Sequence, residues 1–186
     1  MLNNSLTVSA AIIGIVIGWI GFTFNRFVRQ RNMMREAWSG IDVQLKRRHD
    51  LIPRLVECVK GYKGYEGAVL ENLVRVRTQA QAVTGVPATS QAENTVTQAL
   101  RSVLGLVEAY PDLKAGHNFQ DLSAALIETE DQLQFARRYY NGTVRNYSIL
   151  AESFPSQLVA RLFGFHPDGY FEVESSLERQ VPEVKL

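Results

Sequence analysis

The sequence contains few of the residues that build metal sites and disulfides. It has one cysteine, Cys58, and three histidines among 186 residues. A single cysteine cannot form an intramolecular disulfide, and we interpret Cys58 as a small buried thiol. His49, His117 and His166 lie in unrelated segments, and none belongs to a metalloprotease or serine-hydrolase motif. We therefore predict no metal, no cofactor, no small-molecule substrate and no catalytic residue.

Charged side chains are absent from residues 1–25. The apolar run in this segment extends from Leu6 to Phe24, and as a helix it reaches roughly 28 Å, the hydrocarbon thickness of a bilayer. No basic residue precedes the run and no A-x-A cleavage site follows it, which argues against a cleaved signal peptide. We predict a retained transmembrane helix; a buried core helix is the alternative.

The basic residues that follow the run predict its orientation. They are Arg26, Arg29, Arg31 and Arg35. By the positive-inside rule, the amino terminus lies outside and residues 26–186 lie in the cytoplasm, attached to the cell membrane by a single span. These arginines also suit anionic lipid headgroups.

One face of the span consists of small residues. Ala10, Gly14 and Gly18 recur every four residues, which allows a second helix to approach closely. This face predicts a homo-oligomer with contact between spans. The alternative is that small residues are simply common in membrane helices.

Overall charge gives no reason to propose a nucleic-acid partner. The formal net charge is +1, whereas nucleic-acid-binding domains usually carry a basic face. The charge is unevenly distributed, because residues 26–63 are strongly basic and residues 110–136 and 166–186 are acidic.

Residues 26–154 show helical periodicity and no strand signal. We predict an all-α protein in which the transmembrane helix continues into an elongated antiparallel four-helix bundle. The seam of the first helix has the spacing of a coiled coil. It consists of Phe27, Arg31, Met34, Trp38, Ile41, Leu45, Arg48, Ile52, Leu55 and Val59.

Local signals predict the limits of the other helices. Ser90 with Glu93 reads as a capping box that opens the third helix, and Asn118 as the N-cap of the fourth. Residues 111–116 read as a linker. Two local signals conflict with the predicted helices. Pro53 should kink the first helix, and Asn141-Gly142, a pair typical of turns, should interrupt the fourth.

The chain divides into a transmembrane anchor with a short outer amino terminus (residues 1–25), a helical bundle (26–154) and a short amphipathic helix with a tail (155–186). The predicted first and fourth helices are longer than the second and third, so near the membrane they pair alone as a two-helix stem. We expect the amphipathic helix to cover this stem; lying in the lipid interface is the alternative. Its apolar residues include Leu158, Leu162, Phe163 and Phe165.

Arg48 occupies a seam position where an aliphatic residue is expected. A guanidinium there must be paired, or it destabilises the bundle. Glu130 on the fourth helix is the best-placed acid, with Asp131 as the substitute. The alternative is that Arg48 extends outward to solvent along its methylenes.

Three blocks of sequence carry a family resemblance. They run from Ala37 to Tyr62 (including RRHDLIPRLVECVKGY), from Phe135 to Val144 (FARRYYNGTV) and from Phe154 to Phe165 (FPSQLVARLFGF). In these blocks the chain resembles the LemA family of bacterial membrane proteins. The resemblance implies an amino-terminal anchor and an antiparallel helical bundle, and it implies no reaction.

Together these features predict a membrane-anchored, non-catalytic helical scaffold or adaptor that acts by self-association and by binding a membrane-protein partner. The alternative is an accessory or regulatory subunit of a membrane enzyme such as a protease. A third hypothesis is that the protein is itself a hydrolase.

Overall fold

A computed structural model describes residues 2–61 and 67–172, with side chains from residue 7 onward. Within these ranges the secondary structure consists of α-helices, without strands, which confirms the predicted helical class. The helices are α1 (Leu2–Lys60), α2 (Gly67–Gln81), α3 (Val86–Val107), α4 (Pro111–Ala115), α5 (His117–Glu152) and α6 (Ser156–Phe163).

Helix α1 joins the apolar run to the body of the protein without a break. It has 59 residues and is therefore roughly 88 Å long. Pro53 lies inside it with its side chain facing solvent, and the kink expected there stays a prediction. The apolar run and the core-forming half thus belong to one continuous helix.

Helix α5 packs antiparallel along α1. The rings of Phe27 and Tyr147 meet at the end near the apolar run, and those of Trp38 and Tyr140 meet further along. Helices α2 and α3 pack against each other and against the far half of α1. Short helix α6 contacts both α1 and α5.

The buried apolar residues form two clusters along this axis. The distal cluster takes α1 residues from Leu51 onward together with residues of α2, α3, α4 and α5. The proximal cluster takes α1 residues from Phe27 to Leu45, with α5, α6 and residues beyond α6. Arg48 and His49 lie between the two clusters, and both are buried.

The predicted capping box is wrong. Helix α3 begins at Val86 after Gly85, whose φ of 91° is a left-handed conformation that glycine adopts without strain. Pro87 lies in the first turn, where its missing N–H has no partner to lose. Ser90 and Glu93 are therefore inside α3, and both side chains are buried.

Three other local predictions also need correction. The linker at residues 111–116 contains helix α4, and α5 begins at His117 after Gly116, so Asn118 is not its N-cap. Helix α5 runs through Asn141-Gly142 without interruption and ends at Glu152. Packing along α1 holds this stretch in a helix, because tertiary contacts outweigh weak local turn preferences.

Candidate functional site

The small residues of the apolar run face outward. Ala10, Gly14 and Gly18 are exposed, and a β-carbon built on either glycine meets no atom within 4 Å. One stretch of α1 is long and apolar enough to cross a membrane, and only 6% of it is buried in the protein. A core helix of a soluble protein would be mostly buried, so the exposed apolar surface needs another environment.

The four arginines after the run are on the surface. Arg26, Arg29, Arg31 and Arg35 are exposed, and none pairs with a carboxylate among the described residues. The Arg31 guanidinium lies over the Phe165 ring, 5.7 Å from its centroid. Carboxylates of the described residues therefore do not neutralise the positive charge at this end of the molecule.

Helix α6 lies beside the end of the apolar run. Val159 and Ala160 are buried in the proximal cluster, whereas Leu158, Leu162 and Phe163 are largely exposed. The four apolar residues predicted for this segment therefore do not share one environment, because only Phe165 is buried. Phe165, just beyond the helix, is buried and stacks on Phe27 with centroids 4.7 Å apart.

Residues 164–172, which we call the C-terminal strap, run from α6 back along the body of the protein. Gly164 ends α6 in a left-handed conformation, with φ of 67°. Asn141 then holds the strap by two hydrogen bonds: its Oδ1 accepts from the Phe171 N–H at 2.9 Å, and its Nδ2 donates to the Phe171 carbonyl at 3.1 Å. The Tyr140 hydroxyl donates to the Gly169 carbonyl at 3.0 Å.

The strap also reaches helix α3. The hydroxyl of Ser90 and the amide of Asn94 both donate to the Glu172 carbonyl. The Phe171 ring is buried against Trp38, with centroids 5.8 Å apart. The strap therefore contacts α1, α3 and α5. Asn141, which the sequence suggested as a turn residue, instead anchors the strap from within helix α5.

Burial changes the acidity of Tyr140. Desolvation raises the pKa of the Tyr140 phenol to about 12, and the negative charge of Asp168 on the strap adds to the shift. Desolvation also raises the pKa of Tyr147 and of the Cys58 thiol. A raised thiol pKa means less thiolate, which fits a structural cysteine.

Between the two apolar clusters lies a polar layer centred on Arg48, which is 4% exposed. Its Nη2 lies 2.8 Å from Glu130 Oε2 and donates to Thr97 Oγ1 at 2.6 Å. Its Nη1 lies 3.5 Å from Glu93 Oε2. The guanidinium thus contacts Glu130 of α5 and Glu93 of α3. Of these two carboxylates, the sequence predicted only Glu130.

His49 completes this layer. Its Nε2 lies 2.8 Å from Glu93 Oε1, and its carbonyl accepts a hydrogen bond from Arg77 Nε on α2 at 2.7 Å. Glu93 is 2% exposed, so its carboxylate depends on the Arg48 guanidinium for charge compensation. The Arg48-His49 pair of α1 therefore has polar partners on α2, α3 and α5.

A cleft of about 510 Å³ opens beside His49 and Glu93. Its other lining residues include Trp38, Asp42 and Lys46 on α1 and the turn between α2 and α3. The described residues include no cluster of three or more His, Cys, Asp and Glu that could hold a metal ion. The Thr97 hydroxyl, which accepts from Arg48, donates to the Glu93 carbonyl at 3.0 Å. The polar layer thus links α1 to α2, α3 and α5 by side-chain contacts.

Sequence reasoning missed Glu93, Thr97 and Asn141. A signal for Glu93 existed, because it lies at helical spacing before Val96, Leu100 and Val103, the apolar face of α3. Arg48 interrupts the apolar face of α1 in the same way. The capping-box interpretation concealed the signal for Glu93. No local signal marks Asn141 as the anchor of the strap, because its partner is 30 residues away.

Comparison with known proteins identifies relatives along most of the chain. The model of the LemA family matches residues 37–186. Protein LemA of Metamycoplasma hominis is 29% identical over 136 residues, which cover 72% of this chain and 58% of that protein. The chain thus spans somewhat more than half the length of this curated relative.

Two further relatives are magnetosome proteins. MamQ 2 of Paramagnetospirillum magneticum is 22% identical over 193 residues, covering 90% of this chain and 71% of that protein. MamQ of Magnetospirillum gryphiswaldense is 21% identical over 174 residues, covering 80% and 64% respectively. The family match includes both the polar layer and the strap that joins it to the proximal end, and on this match the chain belongs to the LemA family.

Proposed function

We propose that this protein is a membrane-anchored, non-catalytic scaffold or adaptor whose helical body stands on the cytoplasmic face of the cell membrane. In this proposal α1, α2, α3 and α5 act as one elongated antiparallel bundle. The protein works by self-association and by binding a membrane-protein partner.

The continuity of α1 carries this proposal. Its first part is apolar and exposed, and its second part forms the core with the other helices, with no linker between them. A body joined to its anchor by one unbroken helix is held at a fixed distance from the membrane. A fixed distance suits a spacer or assembly platform.

The outer face of α5 offers a surface for association. Ile127, Phe135, Tyr139 and Ile149 are each more than half exposed. At about 100° per residue they fall within an arc of about 120°, opposite the buried face of the helix. Exposed apolar side chains that share one face of a helix are typical of interaction surfaces.

The test is cross-linking of the full-length protein in membranes. In the proposal, Gly14→Leu with Gly18→Leu fills the small-residue face and reduces the cross-linked oligomers several-fold. The matched control is Ile12→Leu with Val16→Leu, which has the same spacing and lies on the opposite face of the span. An unchanged ladder in the glycine variant would rule out contact between spans at this face.

Purification from gently solubilised membranes tests the partner. We expect the protein to be recovered as self-associated complexes. Recovery of a membrane enzyme in equal amount would instead favour the accessory-subunit function.

A further inference from the structure

The end of the apolar run is covered by the protein itself. Thr23 is 4% exposed, and Trp19, Ile20 and Phe24 pack against the proximal cluster. The Phe24 ring lies 5.0 Å from Phe163 in an edge-to-face arrangement and 5.3 Å from Phe165. Helix α6 therefore lies beside the last turns of the run, before the first charged residue at position 26.

Helix α6 has three distinct sides. Val159 and Ala160 are buried against the proximal cluster, and Arg161 is exposed on a polar side. Leu158 and Leu162, one turn apart, form a third, apolar edge that contacts no other part of the described chain closely enough to bury it, and Leu162 is 70% exposed. Phe154, just before the helix, is 77% exposed.

We propose that the apolar edge of α6, together with Phe154, inserts into the interfacial layer of the lipid bilayer next to the span. This inference rests on the proposed membrane anchor and adds a second point of attachment. Because Phe163 touches Phe24, the edge lies at the depth where the span leaves the hydrocarbon. There, aliphatic and aromatic side chains enter the boundary between acyl chains and headgroups.

Charge favours lipid over a second copy of the chain as the occupant of this surface. Arg161 is exposed on α6, and Arg26 and Arg29 are exposed just after Phe24, whose ring contacts Phe163. None of the three pairs with a carboxylate of the described residues. Two copies meeting here would bring these arginines together, and like charges repel. Anionic headgroups would neutralise them. Attachment at both the span and α6 would fix the tilt of the body relative to the membrane.

The test uses the full chain carrying Cys58→Ser, reconstituted in vesicles of phosphatidylcholine and phosphatidylglycerol. Leu162→Cys carries an environment-sensitive fluorophore, and Gln157→Cys on the polar side of α6 is the matched control. At position 162 we expect strong quenching by lipids with a nitroxide on the acyl chain and little quenching by aqueous iodide. At position 157 the order is reversed.

Two results would overturn the proposal. Iodide quenching of the label at 162 without lipid quenching would place the edge in water. Protection from both quenchers would show that protein, such as a second copy, covers it. A third label, at Ile13→Cys in the span, separates this failure from failure of the anchor. Lipid quenching at position 13 but not at position 162 would support the membrane anchor and contradict only the insertion of α6.

Discussion

At the scale of single residues, burial decides which carboxylate matters to Arg48. Glu130 is the nearer partner, but its side chain is 40% exposed, whereas that of Glu93 is 2% exposed. Partly exposed ion pairs contribute about 0–1 kcal/mol, while removing one partner of a buried pair costs about 3–5 kcal/mol. The Glu93 contact therefore dominates, although it is the longer one.

The first prediction follows from this difference. We expect Arg48→Met to lower the free energy of unfolding by about 3–5 kcal/mol, because Glu93 loses its guanidinium partner. Glu130→Gln should cost about 0–1 kcal/mol. Arg48→Met with Glu93→Met should lose much less than the sum of the two single losses, as measured by urea unfolding.

The neighbouring pair provides the control. Arg47 lies 2.8 Å from Glu128 with both side chains exposed. Arg47→Met and Glu128→Gln should each cost about 0–1 kcal/mol. Equal losses at Arg47 and Arg48, or additive losses for Arg48 with Glu93, would contradict a direct buried pair.

The second prediction concerns Tyr140 at high pH. Its folded-state pKa is raised from 10 to about 12, so the neutral phenol is favoured in the folded protein. The stabilisation is complete below pH 10 and is lost as the pH rises toward 12, because the unfolded chain releases this proton first. The urea midpoint of the native protein should fall over this range.

In Tyr140→Phe the fall should be smaller, and the residual fall should reflect Tyr147 and Cys58, whose pKa values burial also raises. Tyr139→Phe, at the adjacent and half-exposed position, is the matched control and should reproduce the native curve. Identical curves for the native protein and the Tyr140 variant would show that this phenol does not govern the loss.

At the scale of elements, the Asn141 side chain makes two of the hydrogen bonds that hold the C-terminal strap. Asn141→Ala removes both hydrogen bonds to Phe171, so residues 164–172 should exchange their amide hydrogens faster. Asn146→Ala, on the same helix and exposed, is the control. Hydrogen exchange by mass spectrometry measures the difference. Unchanged protection of the strap would show that the Phe171 and Phe165 rings hold it without the amide.

Helix boundaries show where sequence reasoning succeeds and where it fails. The long periodic patterns of α1 and α5 identified both helices, because a continuous apolar stripe at helical spacing leaves little competition. The ends were less predictable. Ser90 with Glu93 satisfied a local capping rule, but packing placed both residues in the interior of α3, where Glu93 meets Arg48 and His49.

At the scale of the whole molecule, the proposed orientation has a direct test. In a Cys58→Ser background, a cysteine at Asn3 should react with an impermeant thiol reagent applied to intact spheroplasts. A cysteine at Ala88, exposed in the first turn of α3, should react only after permeabilisation. Labelling at 88 but not at 3 in intact spheroplasts would reverse the topology.

The sequence by itself determined the helical class, the apolar run and the membership of the LemA family. These properties are local or nearly so: charge is absent from residues 1–25, apolar residues recur at helical spacing, and the motifs are continuous blocks. Arg48 could also be recognised as needing a partner, because a charge at a seam position conflicts with the pattern around it.

Only the tertiary structure decided which groups meet. The Arg48–Glu93 and Asn141–Phe171 contacts join residues 45 and 30 positions apart. It also divided the apolar residues of the carboxy-terminal segment, with Val159 and Phe165 facing the protein and Leu158 and Leu162 facing away. Periodicity shows that such a helix has an apolar side. Which part of that side meets protein depends on how α1 and α5 pack beside it, and no local pattern in the sequence encodes that packing.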